Sequence, residues 1–171
     1  MTYKLVKTNN NLKNIYDIVC KNITDSIFIY LGLDFFKNLV LNKIIHIYCI
    51  KDKEKISAIL TVINYRNYKS INKIIVKYLI FNPIKILFNF FKLLKASKKG
   101  SNLGINNSYL HLLHLVIFNQ DFRKITLKKK EIIFNKFFKK ILKEHKSKTL
   151  FLCFDNKNKK AKKFYSRNNF K

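Results

Sequence analysis

The sequence predicts one mixed α/β domain over residues 1–171, a central sheet flanked by helices. Three observations predict it. Short runs rich in β-branched and aromatic residues alternate with apolar stripes at helical spacing along the chain. The stretch 109–154 reads as strand, long amphipathic helix, strand, a crossover whose two strands must run parallel. The 171 residues are 48% hydrophobic and 15% aromatic, enough for one buried core and too apolar for wholesale disorder despite a net charge of +27.

Taken in order, Thr2 to Lys7 (TYKLVK) alternates and reads as a strand. Asn10 or Asn11 then serves as the cap of a helix that carries Leu12, Ile15, Val19 and Ile23 on one face. A second helix, Asp34 to Asn42, buries Phe35, Phe36, Leu39 and Val40. Ile44 to Ile50 and Ile56 to Tyr65 are strands joined by the short charged link KDKEK, an antiparallel hairpin. A helix from Lys73 to Phe81 leads to Asn82-Pro83, a strong start signal for a further helix. Together 72–97 form a helical insertion before the fourth strand, and Lys98 to Asn107 is a polar loop. Tyr109 to Phe118 (YLHLLHLVIF) is a buried strand. Thr126 to Lys146 is an amphipathic helix with Ile132, Ile133, Phe137, Ile141 and Leu142 inward. Thr149 to Phe154 is a second buried strand, and Asn158 to Asn168 a short helix.

Cys20, Cys49 and Cys153 are three and widely spaced, so no disulfide framework or zinc knuckle is expected, nor any metal site. A reducing, cytoplasmic setting suits them. The first residues lack an apolar leader segment, and no run of 18 apolar residues occurs. The 36 Lys+Arg against 9 Asp+Glu suggest a phosphate-bearing partner. Only Arg66, Arg123 and Arg167 are arginine, however, and the lysines are spread over nearly every predicted helix. Nucleic-acid binding needs them on one face with stacking aromatics, so no nucleic-acid partner is expected. Lys, Asn, Ile, Phe and Tyr share A/T-rich codons, and a biased base composition accounts for much of the charge.

The C-terminal stretch TLFLCFDNKNKKAKKFYSRNNFK places Asn158, Ala161, Phe164, Tyr165, Asn169 and Phe170 directly after a buried strand. This resembles the closing motif of the GNAT acyl-CoA N-acetyltransferase superfamily, N-x-x-A-x-x-F-Y-x-x-x-G-F, with Asn169 in place of the glycine. The upstream order of elements resembles that superfamily's fold over most of the chain. The family pattern continues for one or two more strands, so a short or absent final strand is expected here.

The resemblance implies acetyl-CoA as co-substrate, with its pantetheine slotted between the splayed strands 109–118 and 149–154. A main-chain N–H near a bulge in the first of these would polarise the acyl carbonyl. The family's phosphate loop, R/Q-x-x-G-x-G/A, falls on FNQDFRKITLKKKEII. Arg123 takes the first position, while Thr126 and Lys128 stand where the glycines would be. Coenzyme contacts are thereby implied for Ile117, Phe118, Arg123, Lys124, Ile125, Thr126, Leu127, Lys128, Lys129, Asn158 and Tyr165. Tyr165 is implied as the acid that protonates the leaving thiolate.

His111 and His114 are the candidate bases. Three apart on a regular strand, they are expected on opposite faces. Asp25, Asp34 and Glu54 lack a supporting context, His46 reads as structural and His145 as solvent-facing. The insertion 72–97 and the segment LDFFKNLV resemble parts of family members that act in surface-polysaccharide amino-sugar synthesis. That implies a small amine or nucleotide-linked amino sugar as acceptor. Other readings are a degenerate, non-catalytic domain of the same fold and, less favoured, a basic nucleic-acid-binding protein or a membrane-surface contact through the lysine-bearing helix of 72–97.

Overall fold

The computed structural model describes residues 3–23, 30–64, 67–81, 109–152 and 159–167. Strand β1 (Tyr3–Thr8) is followed by helices α1 (Leu12–Asn22) and α2 (Leu33–Leu41). The hairpin β2 (Ile45–Asp52) and β3 (Lys55–Asn64) comes next, then α3 (Tyr68–Ile80), β4 (Tyr109–Ile117), the short α4 (Gln120–Lys124), the long α5 (Leu127–Glu144), β5 (Thr149–Leu152) and α6 (Lys159–Arg167). The sheet runs β1-β2-β3-β4-β5. All neighbours are antiparallel except β4 and β5, which are parallel, as the crossover through α5 requires. The second half of the expected insertion, with Asn82-Pro83, lies outside the described residues, and α3 begins at Tyr68 rather than Lys73.

The sheet is covered on both faces, which is why β2 and β3 read as almost unbroken apolar runs. Ile45, Ile47, Cys49, Ile59 and Ile63 pack against α1 and α2 through Ile15, Val19, Phe35, Phe36 and Leu39. Tyr48, Ile50, Ala58, Leu60 and Val62 face the other way, onto Phe122 of α4 and Phe134, Phe137, Phe138 and Ile141 of α5. Full burial of side chains such as Ile15 and Val19 stabilises the fold by roughly 1.5–3 kcal/mol each. On the α1 side Tyr78 of α3 also donates its hydroxyl to the Leu31 carbonyl at 3.0 Å, tying α3 to the start of α2.

Local detail differs from expectation at three places. Asn11 occupies the cap position of α1 but lies in the left-handed region (φ 54°) and makes no side-chain cap bond; its carbonyl accepts from the Ile15 N–H instead. At the start of α2, Gly32 has φ 89° and ψ 177°, a conformation that a Cβ would obstruct, so glycine is required there. In α5 the inward stripe is Phe134, Phe137, Phe138 and Ile141, with Ile133 and Leu142 half-buried. Ile132, expected inward, is 63% exposed. The stripe is phased by the phenylalanines: Phe134 meets Phe122 edge-on at 5.9 Å, Phe164 edge-on at 5.1 Å, and stacks on Phe138 at 5.7 Å.

Among the described residues, no helix is long and apolar enough to cross a membrane.

This packing separates two neighbouring positions on one helix. Phe134→Ala is expected to cost about 3–5 kcal/mol in equilibrium urea denaturation, whereas Ile132→Ala should change stability by less than about 0.5 kcal/mol. Comparable losses at both positions would contradict the phase of α5.

Candidate active site

β4 is one residue longer than the stretch of β3 it pairs with. Thr61 is opposite His114 and Val62 is opposite Leu112, so Leu113 has no partner across the ladder: a β-bulge. The bulge has a consequence for the two histidines. Thr61 and Ile63 share a face of β3, and their partners are His114 and His111, so both histidines lie on the α1 side of the sheet. The expectation of opposite faces fails because the extra residue inverts the alternation once. His114 is 7% exposed and His111 half-buried. Burial lowers the pKa of both to about 4, with the neighbouring His111 adding to the effect at His114. Both imidazoles are therefore neutral at pH 7. An imidazole held that low is a weak base toward an ammonium proton.

Beside the bulge, β4 pairs in parallel with β5. Their pairing covers Tyr109↔Thr149 to Leu112↔Leu152. His111 touches this seam, its ring 5.8 Å from Phe151 across the β4–β5 pair.

The C-terminal end of β4 leads into a feature the sequence reading missed. Where a glycine loop was sought, the chain forms the short helix α4. Its start signal was present: Asn119 caps it, accepting from the Phe122 N–H at 3.0 Å. Phe122 is fully buried and holds α4 down, edge-on to Tyr3 at 4.9 Å and against Phe134. Arg123 Nε donates to the Ile117 carbonyl at 2.8 Å, and Lys130 Nζ donates to the Arg123 carbonyl at 2.5 Å. Arg123 thus clamps the end of β4 to α4.

Ile125 is half-buried against the α5-side core, and Thr126 takes the cap position of α5 without a side-chain cap bond. Lys124, Thr126, Lys128 and Lys129 are exposed and Leu127 is 53% exposed. No carboxylate stands in the first turn of α5. The first N–H groups of an α-helix have no intrahelical acceptor, so this end presents donors, the positive end of the helix dipole and two lysines. Such an end suits a phosphate. Thr126 and Lys128 replace the expected glycines without a positive φ at either position.

Tyr165 lies on α6, half-buried on the α5 side, its ring 5.3 Å from Phe164 and edge-on to it. Burial pushes its pKa up to about 12. At that value full proton transfer to a thiolate of ordinary pKa, about 8.5, is uphill by roughly 5 kcal/mol. The phenol is suited to donate a hydrogen bond to a thiolate rather than to surrender its proton. Asn158 and the end of the strand expected to reach Phe154 lie outside the described residues, as do Asp25, Asn169 and Phe170.

A separate polar cluster sits at the other end of α5. Tyr48 Oη and His145 Nε2 are 2.8 Å apart and hydrogen-bonded, the rings of His46 and His145 are 4.6 Å apart, and Lys7 forms a 2.8 Å ion pair with Glu144. Burial pushes the Glu144 carboxyl up, but the hydrogen bonds from Lys7 and Tyr48 outweigh it and lower the pKa overall. Burial lowers His46 to about 4 and lowers His145 as well. His145, expected in solvent, is half-buried here because it closes α5 over β2.

No family model and no curated protein matches the chain. Among solved structures it is similar to an aminoglycoside acetyltransferase from an uncultured soil metagenomic sample, solved in complex with trehalose. The TM-score is 0.53 over 98% of this chain and 88% of that one, at 14% sequence identity. The chain has an acetyltransferase fold. On this fold the described residues place the bulge of β4 beside the β4–β5 pair, with the open helix end of α5 beyond the end of β4.

The buried histidines make acid a specific threat to this acetyltransferase fold. The folded protein takes up no proton at His114 until about pH 4, whereas an unfolded chain does so near 6.5. This contribution to stability is therefore full above about pH 6.5 and lost as the pH falls toward 4. Replacing His114 by Gln is expected to reduce the loss of unfolding free energy between about pH 7 and pH 4.5 by roughly 2–3 kcal/mol, read by urea titrations at both pH values.

Proposed function

We propose that this chain is an acyl-CoA-dependent N-acetyltransferase that moves an acetyl group from acetyl-CoA to a primary amine by direct attack. The observation that carries the reading is the bulge at Leu113, set on an acetyltransferase fold beside the parallel β4–β5 pair. A bulge leaves backbone groups outside the ladder, and an N–H so released is the kind of donor that stabilises an oxyanion. The donor-rich start of α5, with Lys128 and Lys129, would take the coenzyme's pyrophosphate, and the clamp of Arg123 on Ile117 would fix that end relative to β4. Tyr165 would stabilise the departing thiolate by a hydrogen bond. His111 and His114 would line the acceptor side as neutral groups, the amine losing its proton to water before attack.

For the acceptor, the resemblance of 33–40 and of 72–97 to amino-sugar acetyltransferases supports a small amine, with a nucleotide-linked amino sugar as its fullest form. The side chains of Thr126 and Lys128 at the glycine positions favour a second reading, a domain of this fold that no longer binds coenzyme.

Calorimetric titration with acetyl-CoA separates the two. Binding is expected, and its absence at millimolar coenzyme would leave only the second reading. With an acceptor amine in hand, Tyr165→Phe is expected to lower kcat roughly tenfold to hundredfold while KM for acetyl-CoA changes little.

A further inference from the structure

A cavity of about 880 Å³ opens on the α1 side of the sheet, between α1, the β2–β3 hairpin and the end of β4. It is not the seam between β4 and β5. It reaches β4's end at Phe118, and five residues of extended chain, roughly 17 Å, separate Phe118 from Leu113. Leu113 and the first turn of α5 are not among its lining residues.

Its lining has a distinct chemistry. Ile15 and Ile18 of α1, with Ile56 and Phe118 from the sheet, make an apolar wall. Four asparagines, Asn9, Asn10, Asn11 and Asn14, line it, together with Asn119, whose side-chain oxygen caps α4; an asparagine amide can both donate and accept hydrogen bonds. Lys51 and Lys55 carry positive charge there against one carboxylate, Glu54. Lys7 also lines it but commits its ammonium to Glu144. Lys51 is the cation best placed. It is half-buried, it pairs with Ile56 on the α1 side of the ladder, and it makes no ion pair among the described residues.

We infer that this cavity is a binding site for a small hydroxylated anion of the sugar-phosphate class, with Lys51 as its anchor. Amides satisfy hydroxyls without charge, the apolar wall accepts the face of a sugar ring, and the surplus of cations selects an acidic group. A polycation such as an aminoglycoside is disfavoured by the same charges. The assignment holds whether or not the chain transfers an acetyl group.

The test is calorimetric titration of the full chain with glucose 6-phosphate, with glucose as the uncharged control and with saturating acetyl-CoA as competitor. The phosphate ester is expected to bind, and glucose to bind at least tenfold more weakly. Acetyl-CoA should not displace the ester. Lys51→Glu should weaken the ester's affinity roughly tenfold or more, while Lys51→Arg stays within about threefold of the wild type. If Lys51→Glu does not fold, as judged by circular dichroism, Lys51→Gln is expected to weaken binding several-fold. No binding of glucose 6-phosphate, equal affinity for glucose, displacement by acetyl-CoA, or an unchanged affinity in the folded charge variant would each overturn the assignment.

Discussion

β4 must satisfy two ladders at once, antiparallel to β3 from Leu110 to Ile117 and parallel to β5 along its first four residues. It meets the first demand with one residue too many, and Leu113 is left without a partner. The rest of the site follows from that surplus. It turns the second half of the strand over, so that Leu110 and Leu112 face α5 while His114 and Val116 face α1. It also brings two histidines to one face, where burial keeps them neutral.

The charge of the described residues is met mostly by water. Among the described residues a single ion pair is present, Lys7 with Glu144, and both side chains are more than a third exposed, so its own contribution to stability is small. Its place matters more than its strength, because it belongs to the group that pins the end of α5 to β1 and β2. Elsewhere the lysines of α5 sit on the solvent side of a helix whose other face is phenylalanine, so that helix is held by apolar burial.

Much of this was legible in the sequence because burial imposes a period. The apolar spacing of α1 and α2, the hairpin, and the parallel β4–β5 crossover all express one-sided or two-sided burial, and the structure agrees with each. The bulge was not legible. In β4, buried and half-buried residues alternate without interruption from Tyr109 to Ile117, and the change of face is visible only in the register with β3. Ile132 was misplaced because three adjacent apolar residues, Ile132, Ile133 and Phe134, allow two phases. The aromatic contacts of Phe134 decide between them. The short helix α4 falls where the family pattern implies a glycine loop, although Asn119 and the buried Phe122 mark it. The left-handed Asn11 shows the reverse limit: a residue type suited to capping took the position and not the bond.

The anchoring of α5 at Glu144 and His145 turns that helix into a ruler. Its 18 residues span roughly 27 Å from the pinned end to the first turn at Leu127. Removing a single residue between the two ends would draw the first turn back by about 1.5 Å and rotate its N–H groups by roughly 100° away from the end of β4. Substitutions along the solvent face leave that distance and direction intact; insertions and deletions do not. The length of α5, and not only its composition, is therefore part of what sets the geometry at its open end.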